Sequence, residues 1–161
     1  MLKVKPLSKT DAVTLKISAS GVLQQVARAT LKNTSRSWNS IASGLLQGGK
    51  VSYSNKTEAA ITKFSALNKP TWNVRYLSKS PALVANSKNS WTTFISSGLI
   101  KGVSTWKPKN ASPVVLELGK KGDVISAYTL PAPAVALASN NEIGTVVVTD
   151  SGVSFGLVVI N

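Results

Sequence analysis

Neither cysteine nor histidine occurs among the 161 residues. Without cysteine there are no disulfides, and without both there are no Cys/His zinc sites and no triads or proton relays built on imidazole. Acids are scarce as well. Six carboxylates (Asp11, Glu58, Glu117, Asp123, Glu142, Asp150) stand against nineteen lysines and arginines, which leaves a formal charge of +13. The six are far apart in the chain, and Asp123, Glu142 and Asp150 fall in or beside expected turns, where aspartate ordinarily caps its own backbone. No spacing supports a glycosidase-like pair, and no Asp-x-Asp-x-Asp-Gly run is present to hold calcium. Gly44, Gly48 and Gly49 before Lys50 have the look of a phosphate loop, but Val51 follows where Ser or Thr is required. We therefore expect no enzyme, no metal and no cofactor.

Long apolar runs are missing too; none approaches the ~20 residues of a membrane span. The opening MLKVKPLSKTDAV has no apolar segment of the signal-peptide kind. The expectation is a soluble protein, made and used inside a cell, with no membrane partner. Asn33-Thr34-Ser35, Asn55-Lys56-Thr57 and Asn110-Ala111-Ser112 match the glycosylation pattern, and in a chain so rich in Ser, Thr and Asn we read them as chance.

What is present is an ordinary apolar fraction, 43%, in a chain long enough to bury roughly 68–70% of its unfolded surface as one domain, residues 1–161. The charge is unevenly placed. Residues 1–111 carry seventeen bases against Asp11 and Glu58, +15; residues 112–161 carry Lys120 and Lys121 against four carboxylates, −2; together they give the +13 of the whole.

Periodicity predicts a strand over 12–19, with Val13, Leu15 and Ile17 on one face and Lys16 on the other; residues 21–32 read as a further strand lined by Leu23, Ala27 and Leu31, the alternative being a helix capped by Ser20 with Val22, Val26 and Ala29 as its stripe. Trp38, Ile41, Ala42, Leu45 and Leu46 recur at helical spacing, which predicts a short helix over 37–46 ended by Gly48-Gly49. Residues 50–54 read as a strand. A second helix is expected after Asn55 or Thr57, with Ala60, Ile61, Phe64 and Leu67 as its stripe and Asn68-Lys69-Pro70 as its stop. Residues 71–77 read as a strand and 81–86 as a turn or short helix. Ser90–Ile100 is similar to Ser37–Leu46, which suggests either two equivalent helices on one sheet or coincidence; each copy runs into a short strand, at 50–53 and 103–106.

The last third reads as β throughout. Residues 113–118 and 124–130 flank a five-residue loop, Gly119–Asp123, and 134–138 form a further strand. Residues 145–149 and 153–160 face each other across Asp150-Ser151-Gly152, with glycine placed for a left-handed conformation. The last strand is apolar on both sides, so we expect it to be central or covered. The predicted fold class is mainly β: a single antiparallel β-sandwich or jelly-roll-like domain with two or three short helices. The alternative is α+β, with a C-terminal antiparallel sheet and helices from residues 37–101 on one face.

The basic set points to a polyanion. Between residues 12 and 116 there are fourteen lysines and arginines and one acid, Glu58, an imbalance that costs self-repulsion unless a polyanion offsets it. The candidate nucleic-acid-binding residues are Lys32, Arg36, Lys50, Lys56, Lys63, Lys69, Arg75 and Lys79. Trp72 and Trp106 join them as stacking platforms, while Trp38 and Trp91 are assigned to the interior. Sixteen of the nineteen bases are lysine, which favours phosphate contact over base reading, hence sequence-tolerant and salt-sensitive binding to RNA or DNA.

The expected function is that of a structural virion protein, a capsid or coat protein of a small virus or phage. It would associate with copies of itself in a large assembly, neutralise packaged nucleic acid, and take no small-molecule substrate. The step from this profile to a virion is an analogy of composition and fold. The alternatives are a cellular, cytoplasmic module that binds nucleic acid without sequence preference, and a vertex, spike or tail component that does not touch the genome.

Overall fold

Alternating apolar and polar residues dominate this chain, and what they build is strand. The fold, taken from a computed structural model, describes residues 12–29, 35–43, 45–66 and 69–161. β1 (Ala12–Ile17) and β2 (Leu23–Ala29) form a hairpin. β3 (Ser35–Ala42), β4 (Leu46–Tyr53), β5 (Lys56–Ala66) and β6 (Lys69–Leu77) form a four-stranded sheet. A second four-stranded sheet comprises β7 (Leu83–Asn86), β8 (Ser90–Ser96), β9 (Ser112–Leu118) and β10 (Val124–Thr129). The third consists of β11 (Ala134–Asn140), β12 (Gly144–Asp150) and β13 (Phe155–Ile160). All pairings are antiparallel, and neighbours within each sheet are consecutive in sequence.

The order of the layers follows from which side chains meet. Ala59, Ile61 and Tyr76 of the first sheet are buried against Val84, Phe94, Val114, Leu116 and Leu118 of the second. On the other face of the second sheet, Ala85, Trp91 and Val115 pack against Val147 and Ile160 of the third. The β7–β10 sheet is thus central, and successive residues of β9 supply both cores, as strand alternation requires. The hairpin lies on the far side of the first sheet. Leu46 faces the central layer, so its neighbour Gln47 faces away, where its amide donates to the Thr14 hydroxyl at 3.0 Å.

The mainly β, antiparallel expectation holds. The helices are corrected: no helix occurs among the described residues, and the α+β alternative loses its helical layer. In β3 the register slips between Trp38 and Ser40, and this bulge returns Trp38 and Ile41, three apart, to one face. Irregularity in a strand thus produces the spacing of a helix. In β5 the residues Ala59 to Thr62 are all buried, because both faces are covered, and a doubly covered strand reads as a continuous run rather than an alternation. Leu67 and Asn68, its predicted end, lie outside the described residues. β8 behaves in the same way, with Trp91 facing one core and Phe94 the other. The two similar segments are therefore strands of different sheets, residues 83–86 are strand β7, and 103–106 are not a strand. Ser54 and Asn55, expected near a helix start, are a two-residue hairpin turn with φ of 42° and 64°, the left-handed pair that matches strand twist.

The C-terminal hairpins stand where expected, and Gly152 has φ of 85° with its N–H donating to Asp150 Oδ1 at 2.7 Å. The last strand is the exception. Rather than being central, β13 is an edge strand, and Phe155, Leu157 and Val159 on its outer face are exposed.

Candidate nucleic-acid interface

The apolar layer between the first two sheets ends at Lys63 and Trp72, cross-strand partners on β5 and β6 that point toward the central sheet. Beyond Trp72 the β9–β10 loop folds over, and its tip packs on the indole. A Cβ on Gly122 would stand 3.0 Å from the Trp72 ring, and with φ of 81° only glycine fits there without strain. Between these elements opens a cleft of about 250 Å³, lined by Lys63, Lys88 and Lys120, by one flank of Trp72, and by the polar side chains of Asn86, Ser87, Asn89 and Ser90.

Lys63 is held rather than free. Its ammonium donates to Asn86 Oδ1 at 2.8 Å, an oxygen that also accepts from the Ser90 hydroxyl at 3.0 Å. The amide positions the cation without neutralising it, and partial burial lowers the Lys63 pKa from its usual value. Among the described residues lining the cleft there is no carboxylate. The nearby Glu117 is engaged elsewhere, accepting from Asn89 at 2.6 Å and Ser126 at 2.7 Å. The arrangement offers a phosphate three lysines and an aromatic wall, while the Ser90 hydroxyl and the Asn89 amide are spent within the protein.

On the other side of the Gly119–Asp123 loop a second opening, about 480 Å³, is lined by Arg75, Lys101 and Lys121 together with Asp123 and the apolar Val74 and Val124. Its positive character is weaker. Arg75 is paired with Glu58 at 3.4 Å, and Asp123 belongs to the lining.

The candidates named from the sequence divide accordingly. Lys63 and Trp72 come together in the first cleft and Arg75 lines the second. Lys50, Lys56, Lys69 and Lys79 are exposed but line neither. Lys32 lies outside the described residues. Arg36 is buried at 6% exposure, donates to Thr62, stacks over the Trp38 ring at 4.1 Å, and lines neither cleft. Trp106 is half-buried against the core, with its indole N–H donating to the Ser96 hydroxyl at 3.3 Å, and it lines neither cleft. The candidates drawn from the sequence leave out Lys88 and Lys101, which belong to the same basic run, as well as Lys120 and Lys121. The last two belong to the near-neutral end, although Gly-Lys-Lys-Gly at a hairpin tip is itself a signal that both side chains project from a turn.

Comparison with protein-family models, with curated proteins and with solved structures finds no match to this chain.

Proposed function

We propose that this is a structural protein of a virion, a coat protein that assembles with its own copies and neutralises packaged RNA or DNA through the lysine cleft. The observation that carries the reading is the convergence of Lys63, Lys88 and Lys120 beside Trp72 with no acid among the described lining residues. A set of lysines from one strand and two hairpin turns, with Lys63 oriented by an amide, suits sequence-independent phosphate contact. Two exposed apolar sheet faces, on the β1–β2 hairpin and on β11–β13, suit assembly. The fold that goes with this reading is a stack of sandwiched sheets. A jelly roll needs pairing between strands distant in sequence, whereas the neighbours here are consecutive.

Purification at low salt, followed by size-exclusion with light scattering and the 260/280 nm absorbance ratio, tests the proposal. Large particles loaded with nucleic acid are expected. Large particles free of nucleic acid would favour a vertex, spike or tail component. A monomer that binds oligonucleotides would favour a cellular binding module, and a monomer that does not bind them would end the nucleic-acid reading altogether.

A further inference from the structure

The stack of layers is unfinished at both ends. At one end is the outer face of the β11–β12–β13 sheet. Val146 pairs with Val159 and Ala138, and Val148 with Leu157 and Ala136, so that face is an apolar grid with Phe155 at its margin and Asp150 beside it. Phe155 is 75% exposed and Leu157 68%, and β13 has no strand on its outer edge among the described residues. At the other end is the β1–β2 hairpin. Its inner residues Ala12 and Ala27 are buried, while Val13, Leu15 and Ile17 on the opposite face are about half exposed. Isolated soluble chains rarely leave apolar patches of more than a few hundred Å² uncovered.

We propose that the β1–β2 hairpin of one copy docks on the outer face of the β11–β13 sheet of another. The occupant is indicated by charge. Residues 12–29 carry Lys16 and Arg28 and no acid; residues 134–161 carry Glu142 and Asp150 and no base. Two copies at +13 each repel, so contact is favoured where these opposite ends meet. A chain cannot satisfy its own face, because the β3–β6 and β7–β10 sheets lie between its hairpin and that face. Such a head-to-tail contact repeats from copy to copy and yields rings or open arrays. The inference rests on the self-assembly part of the proposed function and specifies its contact.

The full chain, freed of nucleic acid by nuclease and high salt, is measured by size-exclusion with light scattering. Leu15→Asp removes the hairpin surface and Leu157→Asp the receiving face, both at exposed positions, with thermal unfolding as the folding control. Each folded variant alone is expected at one-chain mass. Their equimolar mixture is expected at twice that mass, since one intact hairpin meets one intact face. A Leu15→Asp protein that keeps the wild-type mass, or a mixture that stays monomeric, overturns the inference while leaving self-assembly standing. A monomeric wild type overturns both.

Discussion

The guanidinium of Arg36 donates to the hydroxyl of Thr62 at 2.6 Å, reaching from β3 across β4 to β5 on the face opposite the central sheet. That hydroxyl donates onward to Asn73 Oδ1 at 2.7 Å, so the cation is tied through one relay to β6. Burial, and secondly the charge of Arg75, lower the Arg36 pKa to about 10. This buried cation of a basic protein is thus held inside the fold, whereas the lysines of the cleft lie at the rim of the layer.

Thr62→Val is expected to destabilise the fold by about 2 kcal/mol, because it leaves a buried charged donor without its acceptor. Arg36→Met is expected to cost less, since the buried charge is removed, the Thr62 hydroxyl still donates to Asn73, and an apolar chain of similar length fills the space. Urea unfolding measures both. Oligonucleotide affinity should be unchanged in either variant; a loss with Arg36→Met would return this residue to the interface.

Gly48 and Gly49 lie inside β4, where a side chain has no room. A Cβ on Gly49 would collide with the Ser37 carbonyl oxygen, and one on Gly48 would stand 2.7 Å from both Ala82 O and Val84 Cγ1. Gly48→Ala and Gly49→Ala are each expected to destabilise by about 1–3 kcal/mol through forced backbone shifts, the more severe being Gly49→Ala. Thermal melts read the effect, and an unchanged Tm would refute this packing.

The lowered pKa of Lys63 sets a pH dependence. Its folded value lies below its unfolded one, so between the two the unfolded chain binds more protons, and this residue's contribution to stability rises with pH in that window. Lys63 therefore gives up its charge below the ordinary lysine value. Nucleic-acid affinity should therefore begin to fall at a pH below the usual lysine value of 10.5, and Lys63→Arg should delay the fall. Titrations in steps from about pH 8 to 10 check this; identical profiles for the two proteins would contradict it.

The C-terminal hairpins are legible in the sequence because their strands are short, rich in valine and bounded by glycine turns. The middle of the chain is not, for reasons that lie in particular residues. The Asn39 bulge gives Trp38 and Ile41 a helical spacing. In Ala59–Thr62 and Ser90–Phe94, cover on both faces erases the alternation. The cleft is half legible. Lys63 and Trp72 stand out as a base and an aromatic, yet their meeting with Lys88 and Lys120 depends on how two sheets stack, which no local pattern encodes. Arg36 misleads because its sequence neighbours are polar, while its burial comes from β5 and the ring of Trp38.

On the proposed function, the cleft of Lys63, Lys88 and Lys120 carries the phosphate contacts. The most direct measurement is the slope of log K against log salt for a single-stranded oligonucleotide, compared between wild type and the Lys63→Gln/Lys88→Gln/Lys120→Gln variant. Removing three phosphate-neutralising charges should reduce the magnitude of the single-strand slope by about 2 and weaken binding at low salt, with the melting temperature little changed. An unchanged slope and affinity in a folded variant would place the phosphate contacts elsewhere on the protein.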